Sequence, residues 1–171
     1  KAAVSDYKTV KPFDWHRNEQ KLIEGTVTIE CNVVIYNTER DYTFEAKIEG
    51  IKRYYSNEDL LQFTILPAKD GYLYFFLLWR ESGKNKGEKM FPNKYDPYFM
   101  LEKDKKYTIP VKSNIFLTTE TPETRHILII VFLKQDKKFF IEETYHNIFY
   151  WIYDIPLDER YIEVKFFNVS K

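Results

Sequence analysis

The chain has 171 residues, and its 26 Lys+Arg balance 26 Asp+Glu, so no net field recruits nucleic acid or an anionic membrane. Fourteen Tyr, fourteen Phe and three Trp beside five Gly and two Met favour aromatic-rich β structure over a helix bundle. The single cysteine excludes an internal disulfide, no zinc-ligand spacing occurs, and no apolar run approaches the roughly 18–20 residues of a membrane-spanning helix.

Residues 1–25 are mixed and polar, with Pro12, Phe13 and Trp15 as anchors, and read as an irregular lead-in or linker. Because the chain opens on Lys1 and not on Met, the expectation is of a processed or trimmed protein. Residues 26–36 alternate as a first strand, with Val27, Ile29, Cys31, Val33 and Ile35 inward. Cys31 is then a small core residue, since a nucleophilic thiolate needs an exposed, electropositive setting. After the polar turn Asn37-Thr38-Glu39-Arg40-Asp41, a second strand turns Tyr42, Phe44, Ala46 and Ile48 inward. Tyr54-Tyr55-Ser56-Asn57-Glu58-Asp59 interrupts the pattern, and Leu61, Phe63 and Ile65 resume it as a third strand.

The stretch Asp70-Gly71-Tyr72-Leu73-Tyr74-Phe75-Phe76-Leu77-Leu78-Trp79 follows a turn signal with eight apolar or aromatic residues. In a strand, Tyr72, Tyr74, Phe76 and Leu78 face one way and Leu73, Phe75, Leu77 and Trp79 the other. Such a strand must be covered on both faces and therefore lies centrally. Residues 80–89, with Gly83 and Gly87, read as a solvated hairpin loop whose glycines accept positive φ; Lys84, Lys86 and Lys89 are its solvated charges. Met90-Phe91-Pro92-Asn93 is a short return, and residues 95–100 form an aromatic loop. Tyr107-Thr108-Ile109-Pro110 is an edge strand, its proline partly blocking the edge to a partner's strand. Residues 127–133 are seven consecutive apolar residues, a second strand covered on both faces.

The period then changes. Tyr145, Ile148, Phe149 and Ile152 fall at helical spacing behind Thr144 as N-cap, with Pro156 beyond, so residues 145–153 form a short amphipathic helix. Residues 161–169 return to alternation with Ile162, Val164 and Phe166 inward. The fold class is all-β: an antiparallel β-sandwich, Ig-like or similar, with one short C-terminal helix, and residues 26–171 as its single domain.

The series Asp70-Gly71-Tyr72-Leu73-Tyr74-Phe75-Phe76, Met90-Phe91-Pro92-Asn93 and Tyr107-Thr108-Ile109-Pro110 resembles the bacterial domain family of unknown function DUF4384. The likeness covers roughly residues 42–169 and includes Trp151 in the late helix, as in members from Bacteroides-like bacteria; Ser56-Asn57-Glu58-Asp59 stands where the family has a glycine. The resemblance implies a small β-sandwich accessory module in the periplasm or at the cell surface. It supplies no catalytic residue and no cofactor.

Among chemical constellations, His16, His126 and His146 belong to no His-Glu-x-x-His pair, and there is neither a Gly-x-Ser-x-Gly elbow nor a phosphate-cradling glycine loop. Glu142, Glu143 and His146 can share a helix face, but carboxylates at a helix start already favour its dipole, so no metal site is assigned. Tyr54, Tyr55, Tyr95, Tyr98 and Phe99 place rings beside polar groups in loops, which suits a glycan or an extended peptide. The expectation is a non-catalytic domain that binds another envelope protein. Glycan binding through those five rings is the alternative, and a hydrolase using unrecognised carboxylates is a third reading.

Overall fold

A computed structural model describes residues 36–97 and 100–171 in full, together with the main chain of four strands, Ala2–Thr9 (β1), Asp14–Arg17 (β2), Ile23–Thr26 (β3) and Ile29–Ile35 (β4). The chain divides into two compact units, Lys1–Asn37 and Thr38–Lys171.

In the first unit β1 pairs antiparallel with β4, with a register shift between Val4 and Asp6, and β2 pairs antiparallel with β3. This corrects two expectations. Residues 1–25 hold strands and not an irregular lead-in, and β4 pairs within this unit instead of opening the sandwich. The polar composition of the first 25 residues carries little periodicity, but main-chain hydrogen bonding needs none: β4 supplies the partner of β1, and β2 and β3 supply each other's. The inward set of β4, Cys31 included, concerns side chains outside the described residues.

The second unit is the β-sandwich with its one short helix. Its strands are Ala46–Glu49 (β5), Tyr54–Ser56 (β6), Phe63–Pro67 (β7), Gly71–Glu81 (β8), Lys84–Phe91 (β9), Met100–Leu101 (β10), Tyr107–Ile109 (β11), Glu123–Leu133 (β12) and Arg160–Ser170 (β13); the helix is Tyr145–Tyr153 (α1). The larger sheet runs β10-β8-β12-β13-β6, with β9 also on β8; the smaller runs β11-β7-β5. All pairs are antiparallel except β6 with β13, which is parallel and departs from a purely antiparallel sandwich. β11 is an edge strand, as its proline suggests.

The doubly apolar β8 does lie inside the larger sheet. Leu73, Phe75 and Leu77 join Phe63, Ile65, Leu128, Ile130 and Phe132 between the two sheets, where the Phe44 and Phe132 rings stack with centroids 4.8 Å apart. Tyr74, Phe76 and Leu78 join Ile129, Val131 and Leu133 under α1, whose Ile148, Trp151 and Ile152 cover them. The Thr144 hydroxyl accepts from the Asn147 N–H at 3.2 Å, which caps the helix as the sequence indicates.

Two local readings change. Arg80 and Lys84 to Lys89 are strand, not loop, because the turn closes tightly at Ser82-Gly83, both at positive φ. Gly87 is needed for another reason: a Cβ there would stand 2.9 Å from the Ile148 Cδ1 and 3.2 Å from the Tyr145 nitrogen, so its bareness lets α1 sit on β9. On β13, Phe167 and Val169 are the residues sealed between the sheets, while Val164 is 43% and Phe166 52% exposed. Ile162, Val164 and Phe166 share the α1 side of the sheet, but a nine-residue helix spans only about 13 Å and covers Ile162 alone of the three.

Candidate functional site

The most elaborated surface lies at the β9/β10 edge of the larger sheet, where the chain turns out of β9 through residues 92–97. Asn93 makes that turn. Its Oδ1 accepts from the Tyr95 N–H at 2.9 Å and the Asp96 N–H at 3.0 Å, and its Nδ2 donates to the Met90 carbonyl at 2.9 Å and to the Ser113 Oγ at 3.1 Å. Asp96 is buried, and its carboxylate accepts from the Ser113 N–H at 3.0 Å, the Ser113 hydroxyl at 2.8 Å and the Lys112 N–H at 3.1 Å. These hydrogen bonds bolt the turn to residues 112–113. Tyr95 stands between the two anchors and projects outward, 59% exposed, with the Lys94 ammonium 4.7 Å from its ring centroid.

Beside this turn run two adjoining depressions of about 560 Å³ and about 330 Å³, which share Lys89, Pro92 and Pro97. Tyr95, Asn114, Glu88 and Glu143 rim the first; Tyr74, Asp136, Phe139 and Phe140 rim the second. The Tyr74 hydroxyl donates to the Asp136 carboxylate at 2.5 Å, and the Lys89 N–H donates to Glu143 at 3.1 Å, fixing both walls. Phe140 is 84% exposed, the most exposed large apolar side chain among the described residues. Burial, and then the neighbouring Glu143 charge, push the Glu88 carboxyl above its ordinary range. This groove of two depressions offers the Tyr95 and Phe140 rings with the Glu88, Glu143, Asp136 and Lys89 groups beside them. Glu88 and Glu143 both rim the first depression, which opens broadly to the surface.

Of the five rings singled out from the sequence, the three that lie among the described residues do not assemble. Tyr54 is exposed on β6, at the edge of the larger sheet opposite the one that carries Tyr95. Tyr55 is buried edge-on against Phe167, 4.9 Å between centroids, and its hydroxyl accepts from the Lys52 N–H. Tyr98 and Phe99 lie outside the described residues. Of the three described rings, Tyr95 alone lines the groove. Glu142, Glu143 and His146 do not gather: among the described residues no three His, Cys, Asp or Glu side chains could hold a metal ion. His126 is buried, stacked between Trp79 and Phe167, with Nδ1 3.2 Å from the Thr124 carbonyl; burial holds its pKa below the usual imidazole value. It is a core histidine whose burial favours the neutral form.

Sequence reasoning missed Phe140, Glu88 and the Asn93–Asp96–Ser113 network. An Asn two and three residues ahead of Tyr95 and Asp96 is an Asx-turn signal that could have located the turn. Nothing local marks Ser113 as its anchor. No family model matches the chain, and no curated protein matches it.

Proposed function

We propose that this chain is a non-catalytic accessory domain that binds another protein of the bacterial cell envelope, and that an extended segment of that protein lies in the groove beside Tyr95. One observation carries the reading: Tyr95 is exposed on a turn whose main chain the Asn93 and Asp96 hydrogen bonds fix, and it rims one of two adjoining depressions, the other of which is rimmed by the exposed Phe140. Rigid rings give contact area at low entropic cost, the property that binding surfaces use. The envelope location rests on the motif resemblance of residues 42–169. A glycan platform needs rings side by side, and Tyr54 and Tyr95 sit at opposite sheet edges, so the protein reading is preferred.

The test places a photoreactive residue at Lys94 or Lys138, with Lys47 on the smaller sheet as control. Expected is one protein crosslinked from both groove positions and not from Lys47, and lost in a Tyr95→Ala/Phe140→Ala variant of unchanged melting temperature. Retention on a glycan column abolished by the same variant would replace protein binding with sugar binding. A crosslinked partner unaffected by the double substitution would move the site elsewhere.

A further inference from the structure

The opposite edge of the larger sheet carries a separate surface. β13 has 11 residues, but β6 pairs only with Asn168, Val169 and Ser170. The direction of the remaining main-chain groups follows from parity. The Lys134 N–H donates to the Glu159 carbonyl and the Lys171 N–H to the Pro122 carbonyl, so odd positions turn toward β12. The Asn168 N–H donates to the Arg53 carbonyl and the Asn57 N–H to the Ser170 carbonyl, so even positions turn away from β12. The β12–β13 register runs from Arg160 to Ser170 without a shift, so this alternation holds throughout. Ile162, Val164 and Phe166 consequently aim N–H and C=O at an edge on which, among the described residues, no strand lies. Their side chains share one face with Val164 and Phe166 half-exposed, and Glu163 and Lys165 occupy the other face, 2.5 Å apart.

We propose that this edge pairs with the same edge of a second copy of the chain, antiparallel and two-fold symmetric about Val164. Isologous pairing requires the patch to be complementary to itself, and this one is. With the axis at Val164, Ile162 meets Phe166 of the second copy and Val164 meets its counterpart, each a pair that exchanges two main-chain hydrogen bonds. On the other face Glu163 comes opposite Lys165 of the second copy, and Lys165 opposite Glu163, giving two cross-strand pairs of opposite charge. Shifting the axis one residue toward the N-terminus sets Glu163 against Glu163, and one residue the other way sets Lys165 against Lys165. Charge thus selects one register. The pairing window ends where β6 begins to occupy the edge at Asn168, and Ile162 to Phe166 satisfy one another within it. The half-exposed Phe166 ring, which the Arg125 guanidinium overlies at 5.2 Å, gains the Ile162 and Val164 side chains of the second copy as neighbours. This inference is independent of the Tyr95 groove, which lies at the other edge of the sheet and remains open in such a dimer.

Sedimentation equilibrium of the full chain tests it. Expected is a reversible monomer–dimer equilibrium. Val164→Pro removes the outward N–H at the axis, a position where an edge strand tolerates proline, and should weaken the dimer about tenfold or more through two lost main-chain hydrogen bonds. Glu163→Lys should likewise give monomer, because the introduced ammonium then stands opposite Lys165 of the second copy. The Glu163→Lys/Lys165→Glu double variant should restore the dimer. A chain that stays monomeric at millimolar concentration overturns the proposal, as does a dimer indifferent to the charge reversal. If Val164→Pro failed to fold, the charge-reversal pair alone would decide, since both of its side chains contact solvent.

Discussion

Replacing Asp96 by Ala removes the carboxylate that joins residues 92–97 to residues 112–113. Three donors lose their acceptor: the Ser113 N–H, the Ser113 hydroxyl and the Lys112 N–H. A hydrogen bond to a charged group contributes about 1.5–3 kcal/mol, but Lys112 is exposed and water can take over its N–H, and the Ser113 hydroxyl can turn elsewhere. The Ser113 N–H therefore dominates, and the expected cost is about 2–4 kcal/mol, a large part of the roughly 5–15 kcal/mol typical of a domain. With a urea m-value of about 2 kcal/mol/M, the unfolding midpoint should fall by about 1–2 M at unchanged m. Urea titration followed by circular dichroism measures this, and a Ser113→Ala partner completes a double-mutant cycle whose coupling should be about 1 kcal/mol or more. A midpoint unmoved by Asp96→Ala, or additivity of the two substitutions, would show that the carboxylate does not hold the turn, and the rigidity argued for Tyr95 would go with it.

Gly87→Ala should cost about 1–3 kcal/mol by pressing a methyl group against Ile148 and the main chain of α1, and Ser82→Ala, in the solvated turn, should cost far less; thermal melts compare them. His126 has a folded pKa below its unfolded value of about 6.5, so the unfolded chain protonates first and stability is lost as pH falls below that value. His126→Phe should flatten the stability profile between about pH 7 and pH 5, measured by urea midpoints at each pH. Lys134 and the Thr43 donors hold the Asp41 carboxyl well below its ordinary range, so its contribution is complete above about pH 4 and disappears as pH falls toward the lower folded value. Asp41→Asn should make acid unfolding less steep. Glu88, raised by burial and then by Glu143, has the opposite sign: its penalty is present above its folded pKa and absent below the ordinary carboxylate value. Glu88→Gln should therefore stabilise the protein at neutral pH and lose that advantage in acid, as urea midpoints at the two pH values would record.

What the sequence determined by itself was local. The period of two placed Leu73, Phe75 and Leu77 on one face of β8 and Tyr74, Phe76 and Leu78 on the other, and the change to helical spacing behind Thr144 located α1. Both follow from main-chain geometry within a few residues, which side-chain type alone reveals. Coverage is a different matter. Alternation on β13 offers Ile162, Val164 and Phe166 as readily as Phe167 and Val169, and only the length of α1 and the position of the smaller sheet decide which set is sealed. Adjacent Tyr54 and Tyr55 were equal candidates as letters, yet one strand turns the first to solvent and the second against Phe167. The pairing of β1 with β4, the anchoring of Asp96 by Ser113 and the separation of Tyr54 from Tyr95 across the sheet all join distant positions. Such contacts depend on which elements meet after the chain has folded, and no window of sequence holds that information.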